Sequence, residues 1–253
     1  MPDGYIKTSE EIKIMAEGGK LLSRILEDVL KKIEPGLSTL EIDRWIDEGI
    51  AFVGGTPSFK LVPRYHWASC VGLNDEVVHS IPKENKIIKK GDLLKIDLGM
   101  LWRGFQSDMA WTIKVPSGTD PFLEAGKKAL KEAIKVARAG NRVGHISQKI
   151  QEVIETAGYR PVEALTGHGI GRKMHEDPLI PGVLKGKLEE TPLLRSGMTI
   201  AIEVIYNQGE EKIVLENDGW TVSTKDGKIS GLFENTIAIT NSEPLALTPF
   251  TWG

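Results

Sequence analysis

A helix–turn–helix pattern that occurs twice limits what this 253-residue chain can fold into more than any other feature of its sequence. Each copy has a helical segment, a break at a glycine, and a second helical segment that ends before another glycine. The repetition predicts two related halves. Chance is the alternative, because glycine and isoleucine are common residues. Each matched residue lies 104 positions from its counterpart: Gly36 and Gly140, Ile42 and Ile146, Glu48 and Glu152, Ile50 and Ile154, and Gly54 and Gly158.

Capping signals and breakers predict where the helices begin and end. Residues 8–11 and 38–41 both have the spacing of a capping box, so we expect a helix to start at each. The apolar periodicity of the first helix runs to Ile33, and Pro35 should stop it. The second helix should run to about Phe52. In the second half we expect helices over residues 122–137 and 145–157.

Strand-like sequence follows each helical pair. In the first half, residues 93–100 and 107–113 bracket a hairpin turn at 102–105. In the second half, strands are expected over 199–205 and 233–239, with turns at 217–219 and 226–227. We therefore predict an α/β (α+β) fold in which residues 1–253 form one domain, with an internal repeat of roughly 8–115 and 120–241.

Four carboxylates interrupt these apolar strands, two in each half. Strand alternation offers one explanation, in which each carboxylate simply faces water. If all four instead point into one cleft, they require countercharge, because buried unpaired charges are too costly. Two divalent cations would balance the four negative charges. The four residues are Asp97, Asp108, Glu203 and Glu234.

His168 lies in the glycine-rich segment 166–171, which has little helix or strand propensity. Three glycines around one histidine suggest that the backbone bends tightly there or closely approaches a neighbour. A neutral imidazole would complete a carboxylate-rich shell of the kind that suits Mn, Fe, Co or Zn. Of the other histidines, His145 is expected to be solvated on a helix surface, and His66 has no identifiable partner.

Two bridged metal ions lower the pKa of a water and polarise a carbonyl, so such a site can catalyse the hydrolysis of an amide or ester. The sequence has no nucleophile elbow, phosphate-binding loop or dinucleotide fingerprint. Its single cysteine, Cys70, has no evident cationic partner, and it excludes an internal disulfide and a structural thiolate zinc cluster.

Composition narrows the possible partners and the compartment. The net charge of −3 gives no overall basic field for nucleic acid or an anionic membrane, and the one basic cluster is at residues 86–90. The first ten residues lack the apolar stretch of a signal peptide, and no uncharged run is long enough to span a membrane. We expect a soluble, cytoplasmic protein.

From the first helix to Asn241, the sequence resembles the type I methionine aminopeptidases. The resemblance implies the pita-bread fold, in which two pseudo-symmetric halves form a curved antiparallel sheet flanked by helices. The motifs that carry it are Asn-Asp-Glu-Val-Val-His-Ser-Ile-Pro at 74–82, the pair Asp97 and Asp108, Thr-Gly-His-Gly-Ile-Gly-Arg at 166–172 followed by His175-Glu176, Gly197-Met198 leading to Ile202-Glu203, and Phe233-Glu234.

The resemblance also implies a role for each candidate ligand. Asp97 would bind one of two divalent metal ions, and Asp108 and Glu234 would bridge both. His168 and Glu203 would complete the shell of the second ion.

The resemblance implies that the substrate is the N-terminal methionine of a nascent polypeptide whose second residue is small. The enzyme would meet such chains at the ribosome. Glu203 would handle the proton of the attacking water, His79 would assist at the scissile amide nitrogen, and His175 would stabilise the oxyanion. The enzyme is expected to be a monomer. A soft, apolar methionine pocket, for which plain core packing is the alternative explanation, would comprise Phe59, Tyr65, Cys70, Met174 and Trp220.

Three residues depart from the family pattern: Ser80, Val204 and Asn235 stand where glycine, proline and histidine are usual. They could alter strand geometry, the hydrogen bonds behind the ligands and metal preference. The segment between His175 and Glu203 is too short for the helical insertion of the type II enzymes.

Two other functions compete with this interpretation. Proline-specific peptidases share the fold, but they usually carry a large N-terminal domain, for which the 96 residues before Asp97 leave little room. A non-catalytic pita-bread binding module would typically have lost its ligands, whereas all five are present here.

Overall fold

The helices of the computed structural model, which describes residues 6–250, start where the capping signals predict. Thr8 accepts a hydrogen bond from the backbone N–H of Glu11, and the Glu11 carboxylate accepts one from the N–H of Thr8. Ser38 and Glu41 make the same reciprocal pair. The described helices are α1 (Ser9–Leu30), α2 (Thr39–Phe52), α3 (Pro121–Val136) and α4 (Val143–Thr156).

The predicted end of the first helix is wrong by several residues. Helix α1 ends at Leu30 rather than continuing to Ile33 and Pro35. The last turn tightens, because the N–H groups of Lys32 and Ile33 donate to the carbonyls three residues before them. No described helix is both long and apolar enough to cross a membrane.

Most of the strands form one antiparallel sheet of ten strands, in which β1-β4-β5-β12-β9-β7-β8 is the central order and β2, β6 and β13 pair with β4, β9 and β12. A second sheet has the order β10-β11-β3. The strands are β1 (Thr56–Pro57), β2 (Ser69–Leu73), β3 (Glu76–Val78), β4 (Leu93–Trp102), β5 (Phe105–Lys114), β6 (Arg160–Pro161), β7 (Thr166–Gly169), β8 (Glu176–Pro181), β9 (Thr199–Asn207), β10 (Ile213–Leu215), β11 (Val222–Thr224), β12 (Ser230–Ala238) and β13 (Leu245–Ala246).

The predicted hairpin joins β4 to β5. The strands pair along their whole length, from Leu93 opposite Lys114 to Trp102 opposite Phe105. Arg103 and Gly104 form the two-residue turn, and both have positive φ angles of 50° and 83°. Such a turn matches the right-handed twist of the flanking strands. It fixes the register that places Asp97 and Asp108.

The structure repeats at the same offset as the sequence. Helices α2 and α4 each have 14 residues, and their bounds differ by 104 positions. His145 occupies the position of Glu41 in this repeat. It is half-buried rather than solvated as predicted, because its Nδ1 accepts the backbone N–H of Arg142 at 3.0 Å and so caps α4. We interpret the repeat as two related halves, roughly 8–115 and 120–241.

One large hydrophobic cluster extends through both halves. Side chains from all four helices pack with the central strands in it, including Leu26 of α1, Ile46 of α2, Leu130 of α3 and Ile150 of α4. Burying this apolar surface between helices and sheet is the main favourable contribution to folding. The other face of the sheet is free to carry polar side chains.

Candidate metal centre

Three of the four carboxylates stand in one row across the sheet. Asp97 on β4 lies opposite Ala110 on β5, and Ala110 in turn lies opposite Glu234 on β12. Glu234 is paired with Glu203 on β9. Directly paired residues point to the same side of a sheet, so these carboxylates share a face. Asp108 joins them, because it lies two residues before Ala110 on β5.

His168 approaches the row from β7. It is paired with Ala201 and therefore points to the same face as Glu203, two residues further along β9. Its Nε2 lies 3.8 Å from Oδ2 of Asp108 and 3.6 Å from Oε1 of Glu203. One ligand atom each of Asp108, His168 and Glu234 all fall within 4.8 Å of one another. The five residues predicted as ligands therefore lie together.

The acids do not face water, which was the simpler explanation of their pattern. Asp108 and Glu234 are 5% and 2% exposed. Desolvation raises the pKa of Asp97 to about 7 and that of Glu203 to about 8, and it raises the pKa values of Asp108 and Glu234 well above their usual range. Repulsion from neighbouring carboxylates contributes to the raised pKa values of Asp108, Glu203 and Glu234.

This donor set fits divalent cations. One oxygen each of Asp97, Asp108 and Glu234 is buried without a hydrogen-bond partner. Buried polar atoms are normally satisfied, so orphaned oxygens on neighbouring carboxylates that line one cavity indicate a cation site. Burial also lowers the pKa of His168 to about 4, so its imidazole is neutral at pH 7. Its Nδ1 contacts the Gly169 carbonyl at 2.8 Å, which leaves Nε2 free to act as a ligand.

A cavity of about 210 Å³ opens onto the carboxylate row. All twelve residues that the sequence analysis assigned to the site line it: Phe59, Tyr65, Cys70, His79, Asp97, Asp108, His168, Met174, His175, Glu203, Trp220 and Glu234. Two further lining residues, Val62 and Val78, were missed. Their only signal was proximity in sequence to Tyr65 and His79.

One end of the cavity is aromatic. The ring of Tyr65 packs edge-on against Phe59 at 6.3 Å and Trp220 at 5.1 Å between centroids. Its hydroxyl donates to the Ser69 carbonyl at 2.9 Å and lies 3.1 Å from Sγ of Cys70. The Cys70 thiol is buried, and desolvation raises its pKa well above the usual value, so it is an uncharged wall of the cavity. Such a pocket suits an unbranched apolar side chain.

The two auxiliary histidines lie at the exposed side of the cavity. The ring centroids of His175 and His168 are 4.4 Å apart, and the two rings are edge-on to each other. His79 has a φ of 55°, a strained conformation for a residue other than glycine. Partial desolvation lowers the pKa of both imidazoles, and repulsion from the protonated form of His175 also lowers that of His79. Both rings are therefore neutral N–H donors at pH 7.

The first four residues of the glycine-rich segment form a strand, β7, and not the loop that their composition suggests. The predicted close approach is confirmed. A Cβ on Gly167 would lie 2.4 Å from the Ala201 carbonyl oxygen, and a Cβ on Gly169 would lie 2.2 Å from the Asp177 carbonyl oxygen. Without side chains, the backbone on both sides of His168 fits between its neighbours.

Replacing Gly169 with alanine is therefore expected to displace β7 and with it the His168 imidazole. The obstructing atom is a backbone oxygen that cannot rotate away, so we expect G169A to weaken divalent-metal binding and to lower the unfolding temperature by several degrees. Calorimetric titration with Mn²⁺ and thermal unfolding measure the two effects. G182A is the control, because its nearest neighbour would be 3.8 Å away. Wild-type binding by G169A would contradict this account of the glycines.

The three departures from the family pattern lie outside the cavity lining. Val204 follows Glu203 on β9 and packs in the main core. Asn235 follows Glu234, and its Nδ2 donates to the Thr248 carbonyl at 2.6 Å. Ser80 is buried over Gly72, where an added Cβ would lie 2.6 Å from its hydroxyl oxygen. Each is accommodated without displacing a candidate ligand.

Comparison with known families agrees with this geometry. Metallopeptidase family M24 matches residues 13–241. The chain belongs to this family, which makes it a metal-dependent peptidase and confirms the predicted fold class.

Within the family, the chain is similar to proteins named methionine aminopeptidase. It is 38% identical to that of Aquifex aeolicus in an alignment 251 residues long that covers 95% of this chain and 97% of the relative. It is also 38% identical to methionine aminopeptidase 1 of Bacillus subtilis, over 93% of this chain and 95% of the relative. The crystal structure of methionine aminopeptidase from Thermotoga maritima superposes with a TM-score of 0.92 at 36% identity, covering 97% of this chain and 99% of that one.

The proline-specific relatives are more distant. The prolidase from Pyrococcus furiosus superposes with a TM-score of 0.79 at 24% identity, and the match covers 98% of this chain but 66% of the prolidase. This likeness shows a shared fold only.

Proposed function

We propose that this protein hydrolyses the peptide bond after an N-terminal methionine, using two divalent metal ions held by Asp97, Asp108, His168, Glu203 and Glu234. The observation that carries the proposal is the buried carboxylate row with orphaned oxygens beside a small aromatic cavity. Asp108 on β5 and Glu234 on β12, whose ligand atoms lie within 4.8 Å of each other, would hold both ions. Asp97 would bind one ion from β4, and His168 and Glu203 would bind the other.

Bound divalent cations would lower the pKa of a water and polarise the substrate carbonyl. Glu203 would be held ionised by the cations, so that its carboxylate would accept the proton of the attacking water; its side chain is 16% exposed, against 7% for that of Asp108. The neutral His175 donates a hydrogen bond to the carbonyl oxygen, where negative charge develops. The neutral His79 would donate a hydrogen bond to the amide nitrogen, and the proton that Glu203 accepted would pass to that nitrogen as the bond breaks, so that a neutral amine leaves.

The cavity dimensions account for the choice of an N-terminal residue. At about 210 Å³, the cavity is smaller than typical small-molecule sites and accommodates one side chain. The aromatic end formed by Phe59, Tyr65 and Trp220 accepts the methionine thioether, with Met174 and Cys70 completing the wall. The positive α-amino group of the substrate is drawn to the carboxylates of the row.

The cellular setting follows from the same proposal. The substrates would be nascent polypeptides with a small second residue, met at the ribosome in the cytoplasm by a monomeric enzyme. Which of Mn, Fe, Co or Zn acts in the cell would depend on availability as much as on the ligands.

Release of methionine from Met-Ala-Ser tests the function. We expect metal-stripped protein to be inactive, and addition of Mn²⁺, Fe²⁺, Co²⁺ or Zn²⁺ to restore cleavage of Met-Ala-Ser but not of Leu-Ala-Ser or an Ala-Pro dipeptide. Cleavage of Ala-Pro instead would indicate a proline-specific peptidase. No cleavage by folded protein with any of these metals would indicate a non-catalytic binding module.

A further inference from the structure

The two halves of the sheet meet at a narrow junction between β5 and β12. The strands pair directly at only two positions, Ala110 with Glu234 and Met109 with Asn235. By contrast, β12 and β9 pair along their whole length. The carboxylates of Asp108 and Glu234 come from opposite sides of this junction. Their separation therefore depends on how β5 and β12 are held together.

Threonine hydroxyls join the strands on both sides of the paired positions. The hydroxyl of Thr236 on β12 donates to the carbonyl of Asp108 at 2.8 Å and accepts its N–H at 3.0 Å. On the other side, the hydroxyl of Thr112 on β5 donates to the carbonyl of Leu232 at 2.7 Å and accepts its N–H at 2.9 Å. Both threonines are fully buried. Each hydroxyl thus makes the two bonds that a directly paired backbone would make.

The Thr236 bridge acts on a candidate ligand directly. Both backbone groups of Asp108 are bonded to this one hydroxyl, and Glu234 lies two residues from Thr236 on the same strand. The segment after β13 holds Thr236 in turn, because the Thr248 hydroxyl accepts the Thr236 N–H at 2.8 Å. Asn235 donates to the Thr248 carbonyl, so this departure from the family pattern anchors the same segment.

We propose that Thr236 is a positioning residue for the metal centre, whose hydroxyl sets the spacing between Asp108 and Glu234. Thr112 has the corresponding role on the other side of Glu234. This inference rests on the proposed function, because it assumes that both carboxylates bind the same ions. It assigns a specific task to a residue that touches neither metal nor substrate.

Substituting Thr236 with valine or with serine distinguishes the effect of its hydroxyl from the effect of its side-chain shape. T236V keeps the volume but leaves the N–H and the carbonyl of Asp108 without a partner, whereas T236S keeps the hydroxyl. Removing a residue that hydrogen-bonds to a metal-binding residue typically weakens metal affinity about 10–100-fold. We expect a loss of affinity of this size in T236V. T236S should bind metal with close to wild-type affinity.

The test is titration of the metal-stripped full-length protein with Mn²⁺ by calorimetry and with Co²⁺ by visible absorption, beside thermal unfolding. T224V is the matched control, since the buried Thr224 donates to the Lys228 carbonyl at 2.8 Å in the other sheet. We expect weaker Mn²⁺ binding and an altered Co²⁺ spectrum in T236V, rescue in T236S, and unchanged binding in T224V even where its stability falls.

Wild-type affinity and spectrum in folded T236V would overturn the positioning role alone, and so would an equal loss in T224V. Should T236V fail to fold, T112V provides the second test: it must weaken Mn²⁺ binding, and unchanged affinity contradicts the proposal. Wild-type protein that binds no Mn²⁺ would overturn the proposed function and this role with it.

Discussion

Replacing Asp108 with asparagine is expected to lower kcat/KM for a methionyl peptide by at least about 10³-fold, a loss of ~4 kcal/mol of transition-state stabilisation. Asparagine has nearly the same shape, so the core around β5 should be preserved. What disappears is one negative charge and one ligand oxygen between Glu234 and His168, where the ligand atoms lie within 4.8 Å. Metal content and peptide cleavage, measured on the same preparation, should fall together.

Asp43 provides the matched control for that substitution. It is 6% exposed, one of its oxygens accepts the N–H groups of Ala68 and Ser69, and it does not line the cavity. D43N should lower stability through these hydrogen bonds and leave the metal content unchanged. Full activity in D108N, or loss of metal in D43N but not in D108N, would contradict the assignment of the ligands.

Above the pH range in which His79, His168 and His175 titrate in the unfolded chain, the metal-stripped protein should become less stable as the pH rises from about 7 to about 9. In the folded state the pKa of Asp97 is about 7 and that of Glu203 about 8, whereas both fall near 4 in the unfolded chain. The folded state therefore retains protons that the unfolded state has already released. Under these conditions the free energy of unfolding falls with increasing pH until both groups are ionised.

The expected change is a decrease in the unfolding temperature of about 5 °C or more, which corresponds to ~2 kcal/mol in a chain of this size. Saturating Mn²⁺ should remove most of it, because the cation favours the ionised carboxylates. Thermal unfolding at several pH values measures the effect, with the double variant D97N/E203Q as the control that should show a flatter profile. A metal-free protein whose stability stays constant or rises over this range would contradict the pKa assignments.

Local signals in the sequence predicted the elements that depend on neighbouring residues. The capping boxes at Thr8 and Ser38 fixed the starts of α1 and α2, and the turn at residues 102–105 fixed the β4–β5 hairpin. The end of α1 was missed because tightening of its last turn leaves no strong signal. His145 was missed as a cap because histidine is not a usual partner in a capping box.

The candidate site was predictable to the extent that its residues break a pattern. Charges inside apolar strands singled out the four acids, and crowded glycines singled out His168. Their common row was not predictable from periodicity, because it depends on the pairing of β5 with β12, whose residues are more than a hundred positions apart in the chain. The substrate pocket and the auxiliary histidines were found only through the family resemblance.

Some features gave no signal at all. Glycine has a low strand propensity, so the segment that forms β7 was predicted to be a loop. In the structure, backbone oxygens of neighbouring strands lie so close to its glycines that no larger residue fits there. Thr112 and Thr236 are ordinary strand residues in the sequence, and their role depends on a separation between strands that only the folded sheet defines. Val62 and Val78 line the cavity as unremarkable apolar residues.

Anomalous X-ray diffraction from crystals grown with Mn²⁺ tests the central claim most directly, since it locates the ions without reference to activity. We expect two anomalous peaks within the cavity, with Asp108 and Glu234 contacting both, Asp97 contacting one, and His168 and Glu203 contacting the other. A single peak among these residues would contradict the dinuclear centre. Absence of any peak there at saturating Mn²⁺ would contradict the metal centre itself.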